Sequence, residues 1–572
     1  MSRQAALAAL RENPAVSVLI IGGGVNGIGT FRDLALQGVN VLLVEKGDFC
    51  SAASSGNSHM IHGGIRYLEN GEFRLVKEAL RERNLLLQNA PQHVFPQPTT
   101  IPIFHWTSGI GNAALRFVRL SSKPTNRGAF IIKVGLMMYD LFTRGQQGLP
   151  QHQFFSRKTS LAKRPKLNSR IVATAQYYDA WMPTPERLCV EMLLDAEAAS
   201  PEARALNYVR AESAAEDTVT LRDELTGETY SVQPQVVVNA TGAWIDFTNR
   251  ALGRPTQLIG GTKGAHLVVD NPELLEAAGS GEMFFENKDG RIVLFFPVED
   301  RILMGTTDIP VDNPDDARVS EKEVDYILTS VRHVFPDVRV RREDVVFWFT
   351  GVRPLPHSDA ASAGQISRDH SIEVTEAGRG LAFPILSLVG GKWTTFRAFS
   401  EQTADRVLER LGHLRRLSTE HVAIGGGKNY PQNEVERGNW VRALAAELRL
   451  PQERVKTLFE RYGTRAAEIA AQIVAAGDDA PFIHAPTYSR QEAQFIAQSE
   501  KVAHVDDLLL RRSSLALLGR VNGGLLAELG HALAETLHWS PDDVRDEIER
   551  AAAILREQHG VPAEKLGAST FA

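Results

Sequence analysis

One stretch constrains this chain more than any other: Ile20-Ile21-Gly22-Gly23-Gly24-Val25-Asn26-Gly27. The apolar run Val16-Ser17-Val18-Leu19-Ile20-Ile21 leads into it and predicts a buried strand. A helical pattern through Ile28, Phe31, Leu34 and Ala35 follows and stops at Gly38, and a second strand, Val41-Leu42-Leu43-Val44, ends on Glu45. This is a βαβ unit with Gly22, Gly24 and Gly27 in G-x-G-x-x-G spacing. Gly22 allows the tight turn, Gly24 lets backbone amides approach a pyrophosphate, and Gly27 lets the helix pack on the strand. The free N–H groups and partial positive charge of the helix N-terminus favour phosphate there. Glu45, 23 positions after Gly22, is placed to accept hydrogen bonds from ribose hydroxyls. The unit predicts an α/β fold that binds a dinucleotide.

The rest of the chain sets bounds. Its 572 residues suffice for two or three domains. A formal net charge of −6 gives no reason to expect nucleic acid as a partner. Two cysteines, Cys50 and Cys189, without a C-x-x-C, argue against a disulfide framework, and no metal site is expected. Met1 to Pro14 is polar and Ala-rich, unlike a secretory signal, and no run of about 18 apolar residues exists to span a membrane. These features predict a cytoplasmic protein, free or bound to a membrane surface.

Beyond the second strand lies Cys50-Ser51-Ala52-Ala53-Ser54-Ser55-Gly56-Asn57-Ser58, where ligands of open α/β sheets bind. His62-Gly63-Gly64-Ile65-Arg66-Tyr67 follows, with an imidazole, a guanidinium and a phenol beside two glycines. Gly71 to Asn89 predicts an amphipathic helix with Phe73, Val76, Leu80 and Leu87 on one face and Arg74, Lys77, Arg81 and Glu82 mostly elsewhere. The Pro-rich stretch from Pro91 to Pro102 is expected to break the pattern.

From Asn112 to Arg144, Arg116, Arg119, Lys123, Arg127, Lys133 and Arg144 interleave with Leu115, Phe117, Val118, Phe130, Ile131, Ile132, Leu136, Met137, Met138 and Phe142 against one acid, Asp140. Such a pattern fits a membrane-surface element, or equally a core helix with a basic outer face. Strand-like runs occupy 171–260, notably Val236-Val237-Val238-Asn239 closed by Ala240-Thr241-Gly242. The β-rich region 257–390 holds Lys263-Gly264-Ala265-His266, Gly305-Thr306-Thr307-Asp308 and Gly351-Val352-Arg353-Pro354-Leu355. Leu388-Val389-Gly390-Gly391-Lys392-Trp393-Thr394-Thr395 then leads into a helix from Phe396 to Leu411, a second glycine-led N-terminus. A boundary is expected near Gly425-Gly426-Gly427-Lys428. Beyond it the pattern is helical over Val441–Leu448, Val455–Tyr462, Arg465–Ala476, Arg490–His504, Leu525–Leu537 and Pro541–Gln558, with no catalytic cluster.

Taken in order, the glycine triplet, the Ser loop, Ile61-His62-Gly63-Gly64-Ile65-Arg66-Tyr67-Leu68-Glu69, Gly305-Thr306-Thr307-Asp308, Gly351-Val352-Arg353-Pro354-Leu355 and Gly390-Gly391-Lys392-Trp393-Thr394-Thr395 resemble the FAD-dependent glycerol-3-phosphate dehydrogenase family, within the glycine oxidase/D-amino-acid oxidase group of flavoproteins. The resemblance runs from about Val16 to Arg397 and more weakly through the helical tail. It implies a Rossmann-type FAD-binding domain, a mixed-sheet substrate domain and a helical C-terminal domain. The implied boundaries are 1–424 for the oxidoreductase region and 425–572 for the helical domain. Within the first, FAD-binding segments at about 15–100, 165–255 and 380–412 interleave with substrate-domain segments at about 101–164 and 256–379. Gly22, Gly24, Gly27 and Glu45 would hold the ADP half of FAD, with Ser54, Ser55, Ser58, Thr241 and Gly242 also lining the cofactor. Lys392, Thr394 and Thr395 would sit near the flavin ring and substrate. Arg66, Arg353 and Arg368 would hold the phosphate, with Tyr67 beside them.

The implied reaction is oxidation of sn-glycerol 3-phosphate to dihydroxyacetone phosphate, with electrons passed to membrane quinone. The implied place is the inner face of the cell membrane, bound peripherally to an anionic surface, and a homodimer is left open. His62 is the candidate base, against a structural histidine that hydrogen-bonds its loop. Arg353 and Arg66 would clamp a phosphate dianion, and Lys392 would stabilise a developing alkoxide or hold the flavin carbonyl. The sequence departs from the family at Trp181-Met182-Pro183-Thr184-Pro185-Glu186-Arg187-Leu188, at Phe396 and at His59, which bears on the polyol phosphate more than on the reaction. The alternatives are another polyol phosphate such as erythritol phosphate, an oxygen-using oxidase, and a flavin-binding protein without turnover.

Overall fold

The glycine-led unit forms as the sequence predicts. In the computed structural model, which describes residues 3–68, 72–106, 128–142, 149–287, 289–357 and 369–567, strand Ala15–Ile21 enters the turn, helix Val25–Leu36 leaves it, and strand Val41–Val44 returns parallel. Both strands are buried almost throughout, which accounts for their unbroken apolar runs. Thr229–Asn239 pairs parallel with the other side of the first strand, Ile385–Val389 pairs parallel beyond it, and Ala203–Leu206 extends the far edge. The parallel core of one sheet is thus assembled from three distant stretches of chain, with Ser371–Thr375 added antiparallel at the edge beside Ile385–Val389. Helices Val25–Leu36, Pro185–Ala199 and Phe396–Leu411 cover one face through a shared apolar core. Helix Arg3–Glu12 buries Ala6, Leu7 and Leu10 in the core on the other face, so the Ala-rich N-terminal stretch belongs to the fold.

The second sheet is mixed. Its order is Ile309–Pro310, Thr262–Val269, Arg301–Gly305, Ile292–Val298, Glu282–Glu286, Phe95–Ile103, Ala173–Trp181 and Met60–Ile61, with Val345–Arg353 also paired to Thr262–Val269. The Pro-rich stretch expected to break the pattern is instead the strand Phe95–Ile103, paired along all its length with Ala173–Trp181. Pro96, Pro98 and Pro102 occupy alternate positions, so their missing N–H groups fall on one edge of the strand. The ladder on the other edge is intact, and the next strand, Glu282–Glu286, pairs at only two positions. Helix Phe73–Asn89 matches its prediction except at Glu82, which is buried and paired with Arg397.

The C-terminal region is helical as predicted, through Glu434–Leu448, Gln452–Tyr462, Ala466–Ala476, Arg490–Ser499, Gly523–Leu537 and Pro541–His559. The fourth stops five residues before the predicted His504, and Lys501 just beyond it turns left-handed at φ +58°. Leu525, Leu529, Ile548 and Leu555 share an apolar core with Val268, Phe296, Leu303 and Phe347 of the mixed sheet. A buried ion cluster adds a tie to the parallel sheet: Asp48, just past the second strand, accepts from Arg511 and Arg512. Gly425–Gly427, where a boundary was expected, is a buried junction. A Cβ on Gly426 would lie 1.8 Å from Tyr462 O.

Candidate active site

A single cavity of about 1570 Å³ runs between the two sheets. At one end its wall is mostly backbone. Gly22 has φ +110°, and a Cβ there would lie 2.6 Å from Ala240 O. A Cβ on Gly27 would come within 1.9 Å of Gly22 O, so Gly27 serves the helix–strand contact and not the cavity wall. Gly24 and Asn26 line the cavity where helix Val25–Leu36 begins. Ser54 Oγ accepts from Val25 N at 2.9 Å, tying the Ser loop to that helix end, and Trp393 Nε1 donates to Ser54 O at 2.8 Å. Glu45 accepts from Gly23 N at 2.7 Å and from Gly47 N at 2.9 Å. Burial pushes its carboxyl up, against the pull of those two amides. Thr241 and Gly242 line the same end, Thr241 N lying 2.9 Å from where a Cβ on Gly22 would stand. Ser55 turns away, its hydroxyl donating to Ala52 O, and Thr395 is buried behind Thr394; neither lines the cavity.

At the other end the wall is made of side chains from distant segments. Arg353 Nη1 donates to Asp308 Oδ1 at 3.2 Å, and Nη2 to Thr306 Oγ1 at 3.0 Å and Thr307 O at 3.2 Å. The Gly-Thr-Thr-Asp and Gly-Val-Arg-Pro motifs therefore build one guanidinium seat. Gly264 makes room for it, since a Cβ there would lie 2.1 Å from Arg353 Nη2. Gly351 is pressed against Gly56, a Cβ falling 2.1 Å from Gly56 O, so the Ser loop and the Arg353 strand touch backbone to backbone. His62, Lys392 and Thr394 complete this end. His62 N donates to Thr394 Oγ1 at 3.2 Å, and Thr394 Oγ1 donates to His62 O at 3.1 Å. Arg66 and Tyr67 lie in the short helix Ile65–Leu68, their side chains outside the described part, and Arg368 lies outside the described residues.

Sequence reasoning missed three polar residues on this wall. His266 shares a hydrogen bond of 2.9 Å with Ser58 Oγ and stacks on Phe349 at 4.9 Å. Burial, and then the nearby Arg353 charge, holds this imidazole well below its ordinary value. Asp179 and Glu282 also reach the cavity. Thr99 Oγ1 donates to Glu282 at 2.7 Å, and burial pushes that carboxyl up to about 8. His266 closes the Lys263-Gly264-Ala265-His266 motif with no role given to it, and Glu282 is marked by its polar type alone. None of the departures from the family pattern lines the cavity. Trp181 packs on Phe296, Arg187 pairs with Glu500, Phe396 packs on Trp393, and His59 is buried beside Phe349.

The cavity exceeds the roughly 300–1,000 Å³ of an ordinary small-molecule site and offers glycine backbone along its length, at Gly22, Gly24, Gly242, Gly390 and Gly391. That shape and wall fit an extended dinucleotide with space for a small second molecule. The FAD dependent oxidoreductase family model matches residues 17–397, and the model of the C-terminal domain of alpha-glycerophosphate oxidase matches residues 417–544. The chain is 32% identical over 582 residues to a glycerol-3-phosphate dehydrogenase of Synechocystis sp., covering 96% of this chain and 98% of that one. It is 30% identical over 524 residues to D-erythritol 1-phosphate dehydrogenase of Brucella abortus, covering 88% and 95%. The solved structure of the glycerol-3-phosphate dehydrogenase from Bacillus halodurans complexed with FAD shares the fold, with a TM-score of 0.75 over 98% of each chain at 23% identity. With both stretches matched and a likeness that runs nearly end to end, the chain belongs to the FAD-dependent oxidoreductases, in the glycerol-3-phosphate dehydrogenase family.

Proposed function

We propose that this enzyme oxidises sn-glycerol 3-phosphate to dihydroxyacetone phosphate and passes the electrons to a membrane quinone. The observation that carries the reading is the single cavity that joins the glycine-turn wall to His62, Arg353 and Lys392. When bound, FAD supplies the two-electron acceptor for the hydrogen leaving the substrate carbon. Gly22, Gly24, Glu45, Ser54, Thr241 and Gly242 hold its nucleotide half in this reading. Ser58 and Thr394 stand towards the ring. His62 takes the hydroxyl proton. Arg353 binds the phosphate, joined by Arg66 and Arg368, while Asp308 and Thr306 keep its guanidinium plane in place. Lys392 offsets negative charge on the substrate oxygen.

Anaerobic mixing of the yellow holoenzyme with substrate tests this. Glycerol 3-phosphate should bleach the flavin, and free glycerol and D-amino acids should not. Fast bleaching by a D-amino acid and none by any polyol phosphate would overturn it. A second reading, the same chemistry on D-erythritol 1-phosphate, is favoured by the Brucella abortus relative, and faster bleaching by that compound would select it.

The same reading places the enzyme on the cytoplasmic face of an anionic membrane. Among the described residues no helix is long and apolar enough to cross a membrane. Helix Ala129–Phe142, however, exposes Phe130, Val134, Met137 and Leu141 at spacings of a single face, near exposed Trp106, while Ile132, Leu136 and Tyr139 are buried. An exposed apolar stripe of that width fits shallow insertion among lipid headgroups. Of the basic residues, Lys133 is described, and Arg116, Arg119, Lys123, Arg127 and Arg144 lie outside the described residues. Flotation on phosphatidylglycerol vesicles should fall sharply for Phe130→Glu with Met137→Glu, and equal flotation would count against this helix.

A further inference from the structure

The loop that carries His62 hangs on a buried polar hub. Gly63 N donates to Tyr139 Oη at 3.0 Å and to Asp179 Oδ1 at 3.1 Å. Tyr139 Oη donates to that same Asp179 oxygen, and Arg83 Nη1 donates to it at 2.9 Å. Arg83, Tyr139 and Asp179 come from helix Phe73–Asn89, helix Ala129–Phe142 and strand Ala173–Trp181, and all three are buried. Burial, and then the Asp179 charge, pushes the Tyr139 phenol well above its ordinary value, so it stays a hydrogen-bond donor. Contact is close: a Cβ on Gly63 would lie 2.4 Å from both Tyr139 Oη and Leu80 Cδ2.

On its other side the loop is fastened to the Gly390–Thr394 segment. Thr394 bonds the N–H and the carbonyl of His62. Two consecutive residues are therefore held from opposite directions, His62 by the Gly390–Thr394 segment and Gly63 by the hub. A hydrogen bond to either Tyr139 or Asp179 would satisfy the Gly63 N–H. The bifurcated pair instead fixes the direction of that N–H, and with it the peptide that joins it to His62. We infer that Tyr139 and Asp179 are positioning residues, which hold the His62–Gly63 peptide so that the His62 imidazole stands at the substrate hydroxyl. The inference rests on the proposed reading in one respect, that His62 is the base.

The test uses the FAD-loaded full chain with glycerol 3-phosphate in anaerobic stopped flow. Tyr139→Phe removes one hydroxyl and leaves the ring packed. At saturating substrate the rate of flavin reduction should fall about tenfold, since small misplacement of a reacting group is costly in rate. Substrate affinity and FAD content should stay close to the parent values. Amide hydrogen exchange at Gly63 should quicken about fivefold, the loss of one modest hydrogen bond. In a His62→Ala background, Tyr139→Phe should change the reduction rate little, because the group it positions is gone. Asp179→Asn, which weakens all three bonds at once, should slow reduction at least as much as Tyr139→Phe. Wild-type reduction by Tyr139→Phe, or the same fold loss with and without His62, would overturn the inference. If His62→Ala alone reduces flavin at the parent rate, the base assignment falls. A slow Tyr139→Phe with faster Gly63 exchange would then still uphold positioning of the loop.

Discussion

The two ends of the cavity are built on different plans. The nucleotide end centres on one local turn, since Gly22, Gly24, Val25 and Asn26 lie within five residues, and its wall, joined by Glu45, Ser54, Thr241 and Gly242, is mostly main chain. The substrate end takes His62, Arg353 and Lys392 from three regions of the chain, and its wall is side chain. Main chain held in a tight turn offers N–H groups to any phosphate of the right shape, so it needs the absence of side chains. Side chains that meet from distant segments provide discrimination, and each needs neighbours to aim it, as Asp308 and Thr306 do for Arg353. Damage at the first end should therefore cost cofactor and fold, whereas damage at the second should cost rate and selectivity with the cofactor kept.

The largest effect is expected from Gly27→Ala. Its methyl would meet Gly22 O at 1.9 Å, so the helix must leave the strand or the turn must open. The purified protein should be colourless or insoluble, and a yellow protein with full FAD content would break the comparison at its first end. Next comes His62→Ala. FAD content should be unchanged while flavin reduction slows by about two to four powers of ten, the usual worth of a general base. Arg353→Lys follows. An ammonium cannot serve Asp308, Thr306 and Thr307 as the fork does, so kcat/KM for glycerol 3-phosphate should fall at least about thirtyfold. The activity ratio of glycerol 3-phosphate to free glycerol should move towards one. An unchanged ratio with normal FAD would make Arg353 structural and move the clamp to Arg66, Arg368 and Lys392.

The smallest effect lies away from both ends and serves as their control. Glu186 is buried beneath the C-terminal helices, and burial pushes its carboxyl to about 8 against the pull of Arg511 and Arg512. A carboxyl raised in this way favours folding in its neutral form. The contribution is complete below the unfolded value near 4.5 and is lost as pH rises through about 8. Glu186→Gln should match the parent in Tm near pH 4.5 and exceed it by about 2 °C or more at pH 8 and above, with unchanged FAD content and kcat. A gap that does not widen with pH would mean that the carboxyl is charged in the fold.

Much of this division was legible in the chain itself. The strand, turn, helix and strand around Gly22 obey short-range rules of period and glycine geometry, and they appear where the pattern places them. The same holds for helix Phe396–Leu411 and for most of the C-terminal helices. Local rules failed where pairing overrides propensity. Three prolines in Phe95–Ile103 read as breakers, yet alternate spacing puts their defect on one edge of the strand. Glu82 read as surface charge, yet Arg397, more than 300 residues away, pairs with it in the interior.

By itself, then, the amino-acid order determined the dinucleotide turn and the class of fold, because these rest on neighbours a few positions apart, and it named candidate site residues without placing them. Tertiary structure alone decided which of those residues share a wall. It seated Arg353 between Asp308 and Thr306, set His266 against Ser58, and hung Gly63 on Asp179, Tyr139 and Arg83. The physical reason is that a buried charge or N–H must find its partner wherever sheet order brings one, and sheet order in this chain joins segments hundreds of residues apart.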